Sequence, residues 1–93
     1  MVTQAEVAAI TKRAREASAR IVVTFKGLRY AMVINGFIKA EDRDSSKVEW
    51  SKAFGSLTPK ELLSSMPIEK IEVQLPDKTF IFNQVKELLK WAL

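Results

Sequence analysis

The sequence contains neither cysteine nor histidine, and each absence removes a class of chemistry. Without cysteine the chain cannot form disulfides, provide a thiolate nucleophile or hold zinc through sulfur. Without histidine it lacks the commonest general base and the commonest ligand of transition metals. The absence of cysteine also fits a reducing compartment. The composition therefore argues against most nucleophilic and metal-dependent enzymes.

Glycine and long apolar runs are also scarce. With three glycines, the chain lacks the glycine-rich loop that cradles phosphate groups. The longest uncharged apolar run, Tyr30 to Ile34, is far shorter than the ~18 residues that a membrane-spanning helix requires. The first six residues lack the basic stretch and the apolar stretch of a signal peptide. We therefore expect a cytoplasmic protein that binds neither a membrane nor a cofactor.

Acidic side chains crowd together in one segment, which contains Glu41, Asp42, Asp44 and Glu49. A calcium loop of the EF-hand type would need a central glycine, and this segment has none. The chain also lacks paired carboxylates suited to acid–base catalysis and lacks a Ser-x-x-Lys motif. The sequence therefore predicts a non-catalytic protein without a metal site. A hydrolase that holds a divalent metal ion at Asp42 and Asp44 is the alternative.

The length and composition are those of one small globular domain. Ninety-three residues suffice for one domain and are too few for two. Hydrophobic residues make up 47% and charged residues 28%, which is ordinary for a folded protein. No repeat or linker divides the chain, so residues 1–93 are predicted to fold together. We expect an α+β fold of order α-βββ-α-ββ-α, in which an antiparallel meander sheet packs against helices.

Capping and turn signals set the boundaries of these elements. Thr3 and Thr58 are each followed three residues later by a glutamate, which predicts a capping box at the start of a helix. The first helix is predicted over residues 4–19, the second over 59–65, and Asn83 is predicted to cap the last. Strands are predicted within 21–40, with turns at 26–27 and 35–36, and within 71–82 around a turn at 76–78.

The two turns of the meander also predict its register. Phe25 would face Leu28 across the first turn, and Ile34 would face Phe37 across the second. One face of the sheet would then be wholly apolar and form the core, with Ile21, Val23, Phe25, Leu28, Tyr30, Met32, Ile34 and Phe37. The opposite face would carry Val22, Ala31, Val33, Ile38 and Ala40. Because both turns place apolar residues on the same face, they support each other.

Positive charge is concentrated in the first part of the chain. Residues 1–40 carry seven basic and two acidic side chains, whereas residues 41–93 carry eight and nine. Cations of the first helix and hairpin are predicted to contact phosphate groups, namely Lys12, Arg13, Arg15, Arg20, Lys26 and Arg29. The first hypothesis is therefore a small basic binding module for DNA or RNA, or an accessory subunit of a nucleic-acid-processing complex.

A second hypothesis starts from the apolar side chains outside the predicted core. A half-apolar sheet face and an aromatic side chain beside a charged loop are typical of protein interfaces. The interface is predicted to use Val22, Ala31, Val33, Ile38 and Trp50. Two-fold dimers are the commonest assemblies of small proteins. The alternative function is therefore a homodimeric protein–protein adaptor or regulatory subunit without nucleic-acid binding.

Overall fold

Four helices and six strands alternate along the chain in the computed structural model, which describes residues 1–93. The helices are α1 (Gln4–Glu16), α2 (Trp50–Phe54), α3 (Pro59–Ser65) and α4 (Val85–Ala92). The strands are β1 (Arg20–Phe25), β2 (Ala31–Ile34), β3 (Ile38–Glu41), β4 (Lys47–Val48), β5 (Ile68–Gln74) and β6 (Thr79–Phe82). They form one antiparallel sheet of order β4-β3-β2-β1-β5-β6. The predicted α+β class is confirmed, and the predicted order is matched apart from the short β4 and α2.

Both predicted capping boxes are present. The Thr3 hydroxyl accepts a hydrogen bond from the Glu6 N–H at 3.1 Å, and the Glu6 carboxylate accepts one from the Thr3 N–H at 2.9 Å. The same reciprocal pair joins Thr58 and Glu61 at the start of α3, with Pro59 in the first turn. These bonds satisfy backbone donors that have no partner inside a helix. None of the four helices combines the length and apolarity needed to cross a bilayer.

Two helix boundaries differ from the prediction. The first helix ends at Glu16 rather than near residue 19, because Ser18 takes a left-handed φ of 52° and the Ala19 N–H bonds back to the Ala14 carbonyl oxygen. The last helix is capped by Gln84 rather than by Asn83. The Glu87 carboxylate accepts hydrogen bonds from the backbone N–H groups of both residues, so the predicted cap lies one residue too early.

All four helices cover the same face of the sheet. The core joins buried side chains of the helices to alternate residues of the central strands. The helices contribute Val7, Ile10, Ala14, Phe54, Leu62, Leu63 and Leu88, and the strands contribute Ile21, Val23, Phe25, Met32, Ile34, Ala40, Ile71 and Val73. Because all four helices contribute their buried side chains to this one cluster, the other face of the sheet carries no helix. We call it the open face.

The first hairpin is wider than predicted. Val23 lies opposite Met32 rather than Tyr30, a shift of two residues, and residues 26–30 form a loop instead of a tight turn. The Lys26 N–H donates to the Pro67 carbonyl oxygen at 2.9 Å, so this loop is fastened to the start of β5. A shift of two residues keeps every side chain on its face. The side chains of Ile21, Val23, Phe25, Met32 and Ile34 therefore reach the core as predicted.

The second hairpin is shifted by one residue, which reverses the face of every following side chain. Ile34 lies opposite Ile38, not Phe37, because Asn35 donates its N–H to the Phe37 carbonyl oxygen around Gly36. The prediction that Phe37 belongs to the core is wrong, since its side chain is 78% exposed. The prediction that Ile38 and Ala40 lie on the open face is also wrong, since both pack on the core side.

The shifted register can be tested by truncating one residue on each side of the turn. Ile34→Ala removes a fully buried side chain and should lower the free energy of unfolding by about 2–5 kcal/mol. Phe37→Ala should change it by less than about 0.5 kcal/mol, because the ring lies at the surface. Chemical denaturation of both variants measures the difference. A large loss for Phe37→Ala would instead favour the register in which Phe37 is buried.

Candidate binding groove at the edge of the sheet

The six cations predicted to contact phosphate do not lie on one surface. Lys12, Arg13 and Arg15 belong to α1 and therefore to the layer that covers the core side of the sheet. Arg20 lies on the opposite, open face, in register with Gln74 of β5. Lys26 and Arg29 lie in the loop between β1 and β2. The structure thus divides the predicted array among two faces and a hairpin tip.

Arg20 forms an ion pair across the open face. Its guanidinium donates two hydrogen bonds to the Glu41 carboxylate, at 2.5 and 2.9 Å, and Lys39 Nζ lies 3.4 Å from the same group. Glu41 is the only charged residue that is buried, at 4% exposure. The register places Val33 between Arg20 and Glu41, and Val33 is fully buried although no helix covers it. The pair therefore closes the open face over β2.

The same ion pair shifts the ionisation of both partners. The pKa of Glu41 lies below its ordinary value, first because Arg20 hydrogen-bonds its carboxylate and then because Lys39 adds positive charge, against an opposing effect of burial. The hydrogen bond to Glu41 raises the pKa of Arg20. Both groups are charged at neutral pH. The predicted phosphate-contacting role of Arg20 would have to compete with this carboxylate.

The acidic segment engages its own neighbours. The Asp42 carboxylate accepts two hydrogen bonds from the Arg29 guanidinium, at 3.0 and 2.9 Å, which lowers the pKa of Asp42. The Asp44 carboxylate accepts hydrogen bonds from the Ser46 hydroxyl and N–H, which lowers the pKa of Asp44. No three acidic side chains of the chain are gathered where they could share a metal ion. These contacts make the segment a locally bonded loop.

A second set of cations lies on the helix layer. The Arg13 guanidinium stacks over the Trp91 ring at 5.1 Å, which ties α1 to α4. Lys86 and Lys90 of α4 are exposed and form no ion pair, and neither does Lys12. We call the exposed surface of α1 and α4 that carries Lys12, Arg13, Lys86 and Lys90 the basic helix face; Glu16 and Glu87 are the exposed acids of these two helices. Arg15 points elsewhere, because it donates to the Gly36 carbonyl oxygen at 2.9 Å.

A groove runs along the outer side of β3, where β4 stops early. β4 has two residues and pairs only with Ala40 and Glu41. Ala40 of β3 lies opposite Val48, and just after β3 the Asp42 N–H donates to the Ser46 carbonyl oxygen. The even-numbered residues of β3 therefore direct their N–H and C=O groups towards β4, and the odd-numbered residues direct theirs towards β2. By the same alternation, the N–H and C=O of Ile38 point outwards past the end of β4. They face the groove without a strand partner.

The groove has a mixed lining, and its apolar wall at Trp50 is fixed. The groove is lined by Asn35, Phe37, Ile38, Lys39, Ala40, Lys47, Val48, Glu49, Trp50 and Pro59. The Trp50 indole N–H donates to the Leu57 carbonyl oxygen at 2.7 Å, and the ring packs against Phe54 with centroids 4.8 Å apart. The volume is about 730 Å³, within the roughly 300–1,000 Å³ of typical binding pockets. We call this site the edge groove.

The five residues predicted for a protein interface fall into two groups. Ile38 and Trp50 both line the edge groove, where Phe37, Val48 and Pro59 join them. By contrast, the remaining three are strand residues of the open face: Val22, Ala31 and Val33. There they are surrounded by charged side chains that belong to the ion pairs Arg20–Glu41 and Lys70–Glu72. The sequence prediction missed Phe37, because the assumed turn placed its ring inside the core.

The ion pair on the open face predicts how stability depends on pH. Because the pKa of Glu41 is lowered by folding, the pair stabilises the protein at neutral pH, and this contribution disappears as the pH falls below the ordinary value of 4.5. Glu41→Gln should lower the free energy of unfolding at pH 7 by about 1–2 kcal/mol. Thermal denaturation from pH 7 to pH 3 should show the two proteins converging. Equal losses for Glu41→Gln and for the exposed control Glu49→Gln would contradict the assignment.

No family model, curated protein or solved structure matches this chain. Two surfaces of the protein carry features beyond an ordinary solvated exterior. The edge groove combines free backbone groups with a fixed apolar wall. The basic helix face combines cations from the two ends of the chain.

Proposed function

We propose that this chain is a non-catalytic protein-interaction module whose edge groove receives an extended segment of a partner protein. The observation that carries the proposal is the backbone of Ile38, which has no strand partner and lies beside the fixed Trp50 ring. An adaptor or small regulatory subunit would use such a site. The proposal keeps two of the five residues expected at a protein interface, Ile38 and Trp50, and moves the interface from the sheet face to the sheet edge.

The mode of recognition follows from the geometry of an open strand edge. An extended segment that lies beside β3 can accept a hydrogen bond from the Ile38 N–H and donate one to its carbonyl oxygen. Alternate side chains of that segment then point towards the groove, where Phe37, Val48 and Trp50 offer apolar contact. Because the Trp50 indole is already held by Leu57, little order has to be created on binding.

The charges at the rim favour an acidic residue in the bound segment. Lys47 is exposed and forms no ion pair, whereas Lys39 already lies 3.4 Å from Glu41. Glu49 is the only acid that lines the groove. A carboxylate near Lys47 would therefore be attracted, and a lysine-rich segment would be disfavoured. The partner segment is expected to alternate apolar residues and to carry an acid at one end.

A synthetic peptide provides the direct test. The probe is a seven-residue peptide of alternating valine and threonine with one terminal aspartate, titrated into the protein and followed by amide chemical shifts. We expect shift changes at Ile38, at the Trp50 indole N–H and at Val48. A matched peptide with prolines in place of the threonines lacks the backbone donors and should bind at least about tenfold more weakly. Equal binding of both peptides, or changes confined to another surface, would refute the proposed mode.

Variants of the protein separate the groove from nonspecific apolar contact. Val48→Asp places a carboxylate on the groove wall and should weaken peptide binding at least about tenfold, which corresponds to about 1.4 kcal/mol. Ile81→Asp introduces a carboxylate at an exposed apolar position outside the groove, on β6, and serves as the control. Lys47→Glu should weaken binding of the aspartate-containing peptide alone. A similar loss for Ile81→Asp would show that the peptide binds by general hydrophobicity.

Nucleic-acid binding is a second candidate function, favoured by the basic helix face. Three of its cations, Lys12, Lys86 and Lys90, have no carboxylate partner and project from neighbouring helices. A row of free cations can neutralise phosphates of DNA or RNA without reading the base sequence. Arg20 and Arg29 are not assigned to this surface, because each is held by a carboxylate.

Salt dependence tests this second candidate. Binding of a fluorescent single-stranded oligonucleotide should weaken steeply when the salt concentration rises, because bound counterions are released on association. The variant Lys12→Glu/Lys86→Glu/Lys90→Glu should abolish binding. The control Lys26→Glu/Lys60→Glu/Lys78→Glu changes the net charge equally at other sites and should retain most of the affinity. Equal losses in both triple variants, or no binding at low salt, would remove the candidate.

A further inference from the structure

The edge of the sheet opposite the edge groove is formed by β6, and its backbone groups are also unpaired. The Leu75 N–H donates to the Lys78 carbonyl oxygen at 2.8 Å across the β5–β6 turn. Val73 lies opposite Phe80 in the same ladder, so the backbone groups of Phe80 and Phe82 point towards β5. Those of Thr79 and Ile81 therefore point away from the sheet. Each presents one N–H and one C=O to the outside.

This edge lacks the features that usually prevent pairing with another strand. Exposed edges are commonly protected by a charged residue or a proline, and the sequence Thr79–Phe82 contains neither. Ile81 is 56% exposed on the open face, and Leu93, at the end of α4, is 74% exposed. Trp91 faces α1, so Leu89 and Leu93 lie on the flank of α4 that is turned away from α1. Ile81 thus adds exposed apolar surface to the open backbone groups of β6.

We propose that β6 pairs with β6 of a second copy of this chain, in an antiparallel arrangement about a two-fold axis. With Thr79 opposite Ile81 of the second copy, all four outward backbone groups of each copy form hydrogen bonds. In this register Phe80 lies on the axis opposite its own equivalent. The proposal is independent of the edge groove, which lies at the other end of the sheet and would remain open in the dimer.

Charge complementarity supports a second copy as the occupant. In this register Asp77 lies opposite Asn83 of the second copy, directly before α4 of that copy begins. The first turn of α4 carries Lys86, which is exposed and forms no ion pair, whereas Glu87 in the same turn is engaged by the N–H groups of Asn83 and Gln84. Lys86 is therefore the group that would attract Asp77. Asp77 forms no ion pair within its own chain. β6 itself contains no charge, so nothing repels at the axis. The edge at β4 has only two residues and cannot provide the same pairing.

Proline substitution at an outward position tests the pairing. Ile81→Pro removes an N–H that bonds to nothing in the single chain, so the fold should persist while the dimer loses its hydrogen bonds. Sedimentation analysis over a concentration series should give twice the chain mass of 10.5 kDa for the original protein and a single chain mass for Ile81→Pro. Lys47→Pro makes the equivalent change at the β4 edge and should remain dimeric. A monomeric original protein, or a dimeric Ile81→Pro, would overturn the proposal.

A single introduced cysteine tests the register, since the chain has none of its own. Phe80→Cys would face its equivalent in a non-hydrogen-bonded pair, where the Cα atoms lie about 4.5 Å apart and a disulfide can form. Phe82→Cys would face Lys78 of the second copy and should not cross-link. Oxidation should therefore give a covalent dimer of Phe80→Cys alone. Faster cross-linking of Phe82→Cys would overturn this register, and peptide binding in the edge groove should be unaffected in either variant.

Discussion

The structure depends on one constraint, that all of its helices pack against a single face of the sheet. This arrangement buries the alternating apolar residues of β1, β2 and β5 under α1, α3 and α4. It leaves the other face to be covered by the side chains of the sheet itself. The ion pair between Arg20 and the buried Glu41 performs that role over Val33. Arg20, which the sequence suggested as a phosphate contact, therefore helps to complete the fold instead.

The same constraint leaves both edges of the sheet without cover. At one edge β4 is so short that the backbone of Ile38 remains unpaired beside a groove fixed by Trp50. At the other edge β6 presents Thr79 and Ile81 without a charged or proline residue to protect them. Open strand edges recognise extended chains, whether of another protein or of a second copy. The two proposals, a peptide at one edge and self-association at the other, therefore share one physical origin.

Local signals in the sequence predicted the elements well, because capping boxes and side-chain alternation are properties of a few neighbouring residues. The prediction of which side chains of β1 and β2 face the core was correct, even though the hairpin is shifted by two residues. The β2–β3 turn shows the limit: a loop wider by one residue moved Phe37 to the surface and Ile38 to the core side. Turn width depends on contacts such as that of Arg15 with Gly36, which join residues distant in sequence.

The pairing of charged residues that are distant in sequence could also not be predicted. Arg20 and Glu41, like Arg13 and Trp91, meet only because the fold brings them together. Residue-resolved amide hydrogen exchange of the free protein tests the central claim, that alternate backbone groups are open at the sheet edge beside β3. The N–H group of Ile38 should exchange rapidly, while that of Lys39, which bonds within the sheet, should be protected. Protection of Ile38 equal to that of Lys39 would contradict the account.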